Sequence, residues 1–219
     1  MNFPLVISFF TPDSIYEKEV QDLAASCEKL NLPYQIQEIS CAGKWVRNLY
    51  QKPKFILEKL KELKQPLLWI DADGIIVKRP LLFQTLKCDF AVRIDPEVDE
   101  NHQWKVNTAT MFVRYTENAI DLLERWVNRC EKGSEDLLDQ EHLRDVLFQE
   151  SSRANTESLP IGYCRIVDLE TDKIPQEDTY ILQFQASRLG QKLLDGEVFP
   201  FFNYKDLTGQ EIKKLHAKF

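Results

Sequence analysis

Residues 4–10 read Pro-Leu-Val-Ile-Ser-Phe-Phe, a nearly unbroken apolar run of the kind that fills a strand covered on both faces. The period then changes. Ile15, Val20, Leu23, Ala24, Cys27 and Leu30 recur at helical spacing, and Ser14 followed by Glu17 is a capping-box signature. A second strand is expected at 33–39. A polar connection with aromatics fills 40–52, and Pro53 opens a helix whose apolar stripe is Phe55, Ile56, Leu60 and Leu63. Pro66 ends it, and Leu67 to Asp71 form a third strand. Downstream, 88–94 and 107–115 read as strands around a polar surface loop, 95–106. Two helices follow, one capped by Thr116 and one starting at Asp139. Short strands are expected within 163–169 and 179–184, and a basic helix ends the chain. Strand and helix alternate through the first half, so the expected fold is α/β, a single domain with a mainly parallel sheet and helices on both faces.

Composition narrows the function classes. A formal charge of −7 without a dense basic stripe argues against a nucleic-acid partner. The five cysteines, Cys27, Cys41, Cys88, Cys130 and Cys164, are odd in number and lack paired short spacings, which fits a reducing, cytoplasmic setting. No run reaches the ~18–20 apolar residues that cross a bilayer, so the chain is not expected to be integral to one. The apolar N-terminus has no positive leader and reads as the first strand.

The chemistry concentrates in "LLWIDADGII", residues 67–76, where an apolar strand ends in Asp71-Ala72-Asp73. Ligands of parallel α/β sheets sit beyond the carboxyl ends of strands, so this motif and "TPD" at 11–13 both occupy suitable places. Two chemistries use such a pair. A haloacid-dehalogenase-like phosphatase would attack phosphorus with Asp71 and use Asp73 as general acid around Mg²⁺. That reading needs later motifs that are not evident, and an earlier strand position. In the other, a nucleotide-diphosphate sugar brings roughly two negative charges that sharpen as the glycosidic bond breaks, and a divalent ion neutralises them. Asp71 then reaches sugar or ribose hydroxyls while Asp73, with Asp71, organises Mn²⁺ or Mg²⁺, hard ions content with few protein oxygens.

Taken together, "GKWVRNLYQKPKFILEKL", "LLWIDADGIIVKRP", "DFAVRI", "NTATMFVRYTENAIDLLERW" and "DQEHL" resemble the nucleotide-diphospho-sugar transferases of the GT-A fold, in matching order from about residue 3 to 190. The resemblance implies a Rossmann-like sheet with a nucleotide-binding part at about 1–94 and an acceptor-side part at about 95–219. It implies that Thr11 and Tyr16 hold the nucleoside, that Lys54 and Arg188 approach the diphosphate, and that Asn107 and Thr108 meet sugar hydroxyls. Asp139 and Gln140 fall beside the reacting centre, Asp139 as general base if the reaction inverts, although Asp also suits a helix N-cap. The acceptor would be a carbohydrate, lipid-linked or protein hydroxyl.

The chain departs from the family pattern in two places. Ala109 stands where the family often has Gly, and Gln183 and Gln185 stand near where related enzymes carry a late metal-binding His. A non-catalytic sugar-nucleotide-binding protein of the same fold is therefore a further alternative. The C-terminal aromatics followed by Lys213, Lys214 and Lys218 raise peripheral contact with an anionic membrane surface, against a plainer reading as core aromatics and a solvated helix.

Overall fold

The computed structural model describes residues 3–150 and 152–184. The opening apolar run is β1 (Leu5–Phe10), followed by α1 (Tyr16–Lys29) and β2 (Tyr34–Glu38). The connection after β2 holds a short helix, α2 (Trp45–Leu49), which runs into α3 (Gln51–Leu63). Pro53 thus lies inside the first turn of α3, where its missing N–H costs nothing. β3 (Leu67–Ile70) and β4 (Gly74–Ile76) flank the acidic turn. β5 (Phe90–Ile94), β6 (Val106–Val113), α4 (Glu117–Lys132) and α5 (Asp139–Phe148) follow, then three short strands, β7 (Thr156–Ser158), β8 (Arg165–Ile166) and β9 (Ile181–Gln183).

The main sheet has the order β2-β1-β3-β6-β5-β7. Its pairings are parallel except where β6 meets β3 and β5, so β6 alone runs against its neighbours. Alternation along each strand sorts its side chains between two cores. Val6, Leu68, Ile70, Ala91 and Phe112 pack towards Leu23 and Cys27 of α1. Ile7, Leu67, Trp69, Val92, Met111 and Val113 pack towards α3, α4 and α5, against Phe55, Ile56, Leu122, Trp126 and Leu143. The expected α/β sheet with helices on both faces is therefore present. A second sheet, β4-β9-β8, follows the acidic turn; strands of two or three residues are too short to show a period in sequence.

Local chemistry explains most element boundaries. The Thr116 hydroxyl accepts from the Ala119 N–H at 3.2 Å, capping α4. The capping box expected at Ser14 and Glu17 does not form as such. The Ser14 hydroxyl donates to the Thr11 carbonyl at 2.6 Å, and Ile15 occupies the cap position of α1. Glu17 instead accepts from the Asp13 N–H at 2.9 Å, so the tight turn after β1 takes the side chains meant for the helix. Of the five cysteines, four are buried and Cys41 is exposed; all are free thiols. No helix among the described residues is long and apolar enough to cross a membrane.

The acidic turn is sterically exact. Gly74 N–H donates to the Asp71 carbonyl at 2.8 Å, and a Cβ at Gly74 would lie 2.4 Å from Ile70 Cγ2. On the sheet's other flank, Asp172 is fully buried and accepts from both terminal nitrogens of Arg93 in β5 and from the Ile166 N–H at 2.7 Å. This pair ties the main sheet to β8.

A buried carboxyl also sits behind the acidic turn. Glu19 of α1 is 4% exposed, and burial, with the nearby charges of Asp73 and Asp22, pushes its pKa up to about 8. Its place in the first turn of a helix favours the anion by at most ~1 kcal/mol, too little to offset that burial.

Two outcomes follow from this packing. Asp172→Ala strands the Arg93 charge and is expected to lower unfolding free energy by about 3–5 kcal/mol in a denaturant titration. Glu19 holds a proton in the fold that the unfolded chain releases above its ordinary range. The stability it allows is therefore fully present near pH 4.5 and declines as pH rises towards 8. In chelated buffer, melting temperatures of wild type and Glu19→Gln should diverge across that window, with the Gln variant the more stable at pH 8; parallel profiles would show the acid ionised in the fold.

Candidate active site

Four segments that are distant in sequence meet at the carboxyl end of β3. Asp71 directly follows that strand, and its N–H donates to the Ala109 carbonyl of β6 at 2.9 Å, which locks the motif to the antiparallel neighbour. Lys52 comes from the first turn of α3, Thr108 from β6, and Asp139 is the first residue of α5. The Lys52 ammonium lies 3.0 Å from Asp71 Oδ1, 3.2 Å from Asp139 Oδ2 and 3.2 Å from Thr108 Oγ1. The Thr108 hydroxyl in turn donates to Asp139 Oδ2 at 3.1 Å. Trp69 Nε1–H donates to Asp71 Oδ1 at 2.7 Å, and Trp126 Nε1–H holds the Asp139 carbonyl at 2.8 Å. The Lys52 ammonium also sits 5.8 Å from the centre of the Trp69 ring.

Lys52 is 5% exposed. Burial pulls its pKa down, but Asp139 and Asp71 outweigh that and leave it above the usual lysine value. The ammonium is therefore permanently charged and bridges two carboxylates, a geometry in which Coulomb attraction and hydrogen bonds together offset desolvation.

This cluster floors a cleft of about 440 Å³. Thr11 lines it from the turn after β1, Tyr16 from the start of α1, Asn48 and Leu49 from α2, Gln103 and Trp104 from the loop before β6, and Asn107 from β6 itself. Asp136 and Leu138 belong to the segment before α5, while Asp139, Gln140 and Glu141 come from its first turn. Tyr50 and His142 hold that segment: the Tyr50 hydroxyl lies 2.6 Å from the Leu137 carbonyl and 3.2 Å from His142 Nε2. Among the lining residues there are five carboxylates, Asp71, Asp73, Asp136, Asp139 and Glu141, against one lysine.

The structure brings together Thr11, Tyr16, Asp71, Asp73, Asn107, Thr108, Asp139 and Gln140, all expected from the sequence. Lys54 is not among them. It is exposed on α3 and does not line the cleft, whereas Lys52 does. The helical phase contains the reason. Lys52 shares the stripe of Phe55, Ile56 and Leu60, whereas Lys54 shares the polar face of Glu58, Lys61 and Glu62. Trp104, Gln103 and Asp136 were also missed, because they lie in loops without a period. Arg188 and Gln185, like the C-terminal aromatic and lysine segment, lie outside the described residues.

Finer roles shift too. Leu138, not Asp139, holds the cap position of α5, so the Asp139 carboxylate is turned to Lys52 instead of capping the helix. Thr108 is 3% exposed and spends its hydroxyl inside the cluster. Asn107 Oδ1 accepts from the Ala109 N–H at 3.0 Å and from Cys164 Sγ at 3.2 Å, leaving the side-chain amine as its donor. Gln140 Nε2 donates to the Gln103 carbonyl at 3.0 Å. Gln183, near where a late histidine was sought, uses its amine on the Ala109 carbonyl and the Thr110 hydroxyl.

Could these residues hold a cation? Among the described residues no group of three or more His, Cys, Asp or Glu side chains could cage a metal ion. One oxygen of Asp71 is already taken by Lys52 and Trp69. The oxygens nearest the motif, those of Asp73 and the second oxygen of Asp71, are a hard, oxygen-only set. That set suits Mg²⁺ or Mn²⁺ shared with a phosphate ligand, not a freestanding site.

A family model described as nucleotide-diphospho-sugar transferase matches residues 21–214. No curated protein matches. Among solved structures, a glycosyltransferase involved in glycosylation of the major capsid of PBCV-1 superposes with a TM-score of 0.65 at 13% identity, over 88% of this chain and 99% of that one. The glycosyltransferase GlyE of Streptococcus pneumoniae TIGR4 superposes with a TM-score of 0.57 at 14% identity, over 82% of this chain and 54% of its own. At such identities the superpositions speak for the fold. The family match, which spans most of the sequence and includes the acidic turn, Lys52 and Asp139, places this chain among the nucleotide-diphospho-sugar transferases.

Proposed function

We propose that the protein moves a sugar from a nucleotide-diphosphate donor to an acceptor hydroxyl, with the donor seated over the Lys52 cluster. The observation that carries this reading is the convergence of Asp71 and Asp139, from separate motifs, on one buried ammonium at 3.0 and 3.2 Å. Thr11 and Tyr16 are assigned to the nucleoside, Asp71 to ribose or sugar hydroxyls, and the Asn107 amine to the sugar. Asp139 is the assigned base for the acceptor proton. Lys52 and Thr108 hold its Oδ2 and so orient its other oxygen.

Charge supplies the argument for a metal. A diphosphate entering a cleft with five carboxylates and one lysine among its lining residues meets repulsion at close range. Asp73 and Asp71 would hold Mn²⁺ or Mg²⁺ there, and such an ion would offset this repulsion and the charge that grows on the departing diphosphate. Because the protein donors are few, the ion and the nucleotide are expected to bind together. The phosphatase alternative loses its support with the family match, and Asp71, hydrogen-bonded by Lys52 and Trp69, is a blunted nucleophile.

Calorimetric titration with UDP-glucose, UDP-galactose and GDP-mannose tests the reading. One donor should bind at least tenfold more tightly with Mn²⁺ than with chelator and be slowly hydrolysed, whereas Mn²⁺ alone should give no measurable heat. Asp73→Asn should erase the metal dependence. Binding without turnover would reduce the protein to a nucleotide-sugar carrier, and metal-independent binding in both wild type and variant would remove the ion from the mechanism.

Lys52 and Lys54 offer a paired control. Lys52→Met is expected to cut turnover about 100-fold, equivalent to ~2.7 kcal/mol, and to lower unfolding free energy by about 3 kcal/mol, because buried Asp139 and half-buried Asp71 lose the cation they share. Lys54→Met, on the exposed face of α3, should alter neither the steady-state rate nor the denaturant midpoint.

A further inference from the structure

The cleft lining includes a side chain that the donor does not explain. Trp104 lines the cleft yet keeps 46% of its surface exposed, one of the few large apolar side chains left so open among the described residues. Leaving an indole in water has a hydrophobic cost, and the loop that presents it is not slack. The Gln103 carbonyl accepts from Gln140 at 3.0 Å, and the Asn101 carbonyl accepts from Arg144 Nη1 at 2.7 Å, which pins the loop to α5. The Lys105 ammonium reaches back to the Val98 carbonyl at 2.8 Å, and Asp95 N–H closes the loop base on the Lys105 carbonyl at 2.9 Å. The backbone that carries the indole is thus held in place before any ligand arrives, so little loop-ordering entropy remains to be lost on binding.

Its surroundings decide the class of ligand. The Gln103 carbonyl, one residue before Trp104, is held by Gln140, so the indole is carried beside the first turn of α5 that bears Asp139. Gln103, Asn107, Asp136 and Gln140 line the same cleft and offer amide and carboxylate groups for hydroxyls. A lipid chain needs a channel without such polar groups, and a peptide strand needs an open sheet edge or an extended groove. A flat apolar face in a cleft that also carries amides and carboxylates matches a pyranose, whose axial C–H groups form an apolar face and whose hydroxyls point outward from its rim. We infer that Trp104 is the stacking platform of an acceptor subsite, and that the acceptor is a carbohydrate whose terminal pyranose lies on the indole. This rests on the donor reading above, since it names the acceptor class for the same cleft.

Saturation-transfer NMR on the full chain tests it without any donor. The probes are methyl β-D-glucopyranoside, methyl β-D-galactopyranoside and methyl α-D-mannopyranoside, with n-octanol and a Ser/Thr-rich peptide as competing classes. At least one glycoside should receive saturation, strongest at the ring protons of one face. Trp104→Ala should reduce that signal at least fivefold, while Trp104→Phe, which keeps a smaller platform, retains more than half. The inference is overturned if no glycoside is saturated, if saturation is uniform around the ring in wild type, or if a folded Ala variant matches wild type. Preferential, Trp104-dependent binding of octanol or peptide also overturns it. If the Ala variant does not fold, the wild-type epitope and the Phe variant decide. Separate donor titrations keep the two failures apart. Donor binding without pyranoside contact sinks this inference alone, whereas Trp104-dependent pyranoside contact without donor binding keeps the subsite and removes the donor reading.

Discussion

A buried ammonium between two carboxylates is the constraint on which this molecule's functional end is built. Lys52 cannot shed its proton cheaply, because Asp71 and Asp139 hold it charged, and neither acid can relax without stranding the other two groups. The result is a rigid triangle that joins α3, the end of β3 and the start of α5. Thr108 adds a fourth element, β6, through its hydroxyl. Charges that would be disordered on a surface are held at fixed positions at a cleft floor, which is what recognition of a charged, polyhydroxylated ligand requires.

The sheet makes that triangle possible. β6 runs against its neighbours, so residues near its start, Asn107 and Thr108, lie beside the carboxyl end of β3 and its Asp71. A parallel β6 would have presented its other end there. The turn at Asp71–Gly74 then diverts the chain into the second sheet, and Gly74 permits the close passage past Ile70. The cleft therefore opens where the two sheets part. Strand ends supply part of its lining, and the rest comes from loops and helix ends, the elements least bound by packing periodicity and freest to carry polar side chains.

Much of this was legible beforehand. The strands and helices of the first half are readable because their apolar positions obey one period at a time, and the acidic motif is readable because it stands at the carboxyl end of a strand in an alternating strand-helix pattern, where ligands of such sheets lie. The strand ends came within a few residues of their observed bounds. The second sheet was not readable as a sheet, since β4, β8 and β9 are too short to show alternation and β4 had been absorbed into the acidic motif. The helix α2 was hidden in a connection that looked merely polar. Ser14 and Glu17 spelled a helix cap, but the tight turn after β1 gave both side chains nearer partners.

By itself, the sequence determined the fold class, the place of the acidic turn and the residues able to do polar chemistry, because periodicity and strand-end position are local properties. Only the tertiary structure decided which lysine serves the site, that Asp139 faces an ammonium instead of capping its helix, and that Trp104 stands open in the cleft. Each of those depends on what a distant segment places within about 3–4 Å, the range over which hydrogen bonds and ion pairs act, and no local pattern encodes that distance.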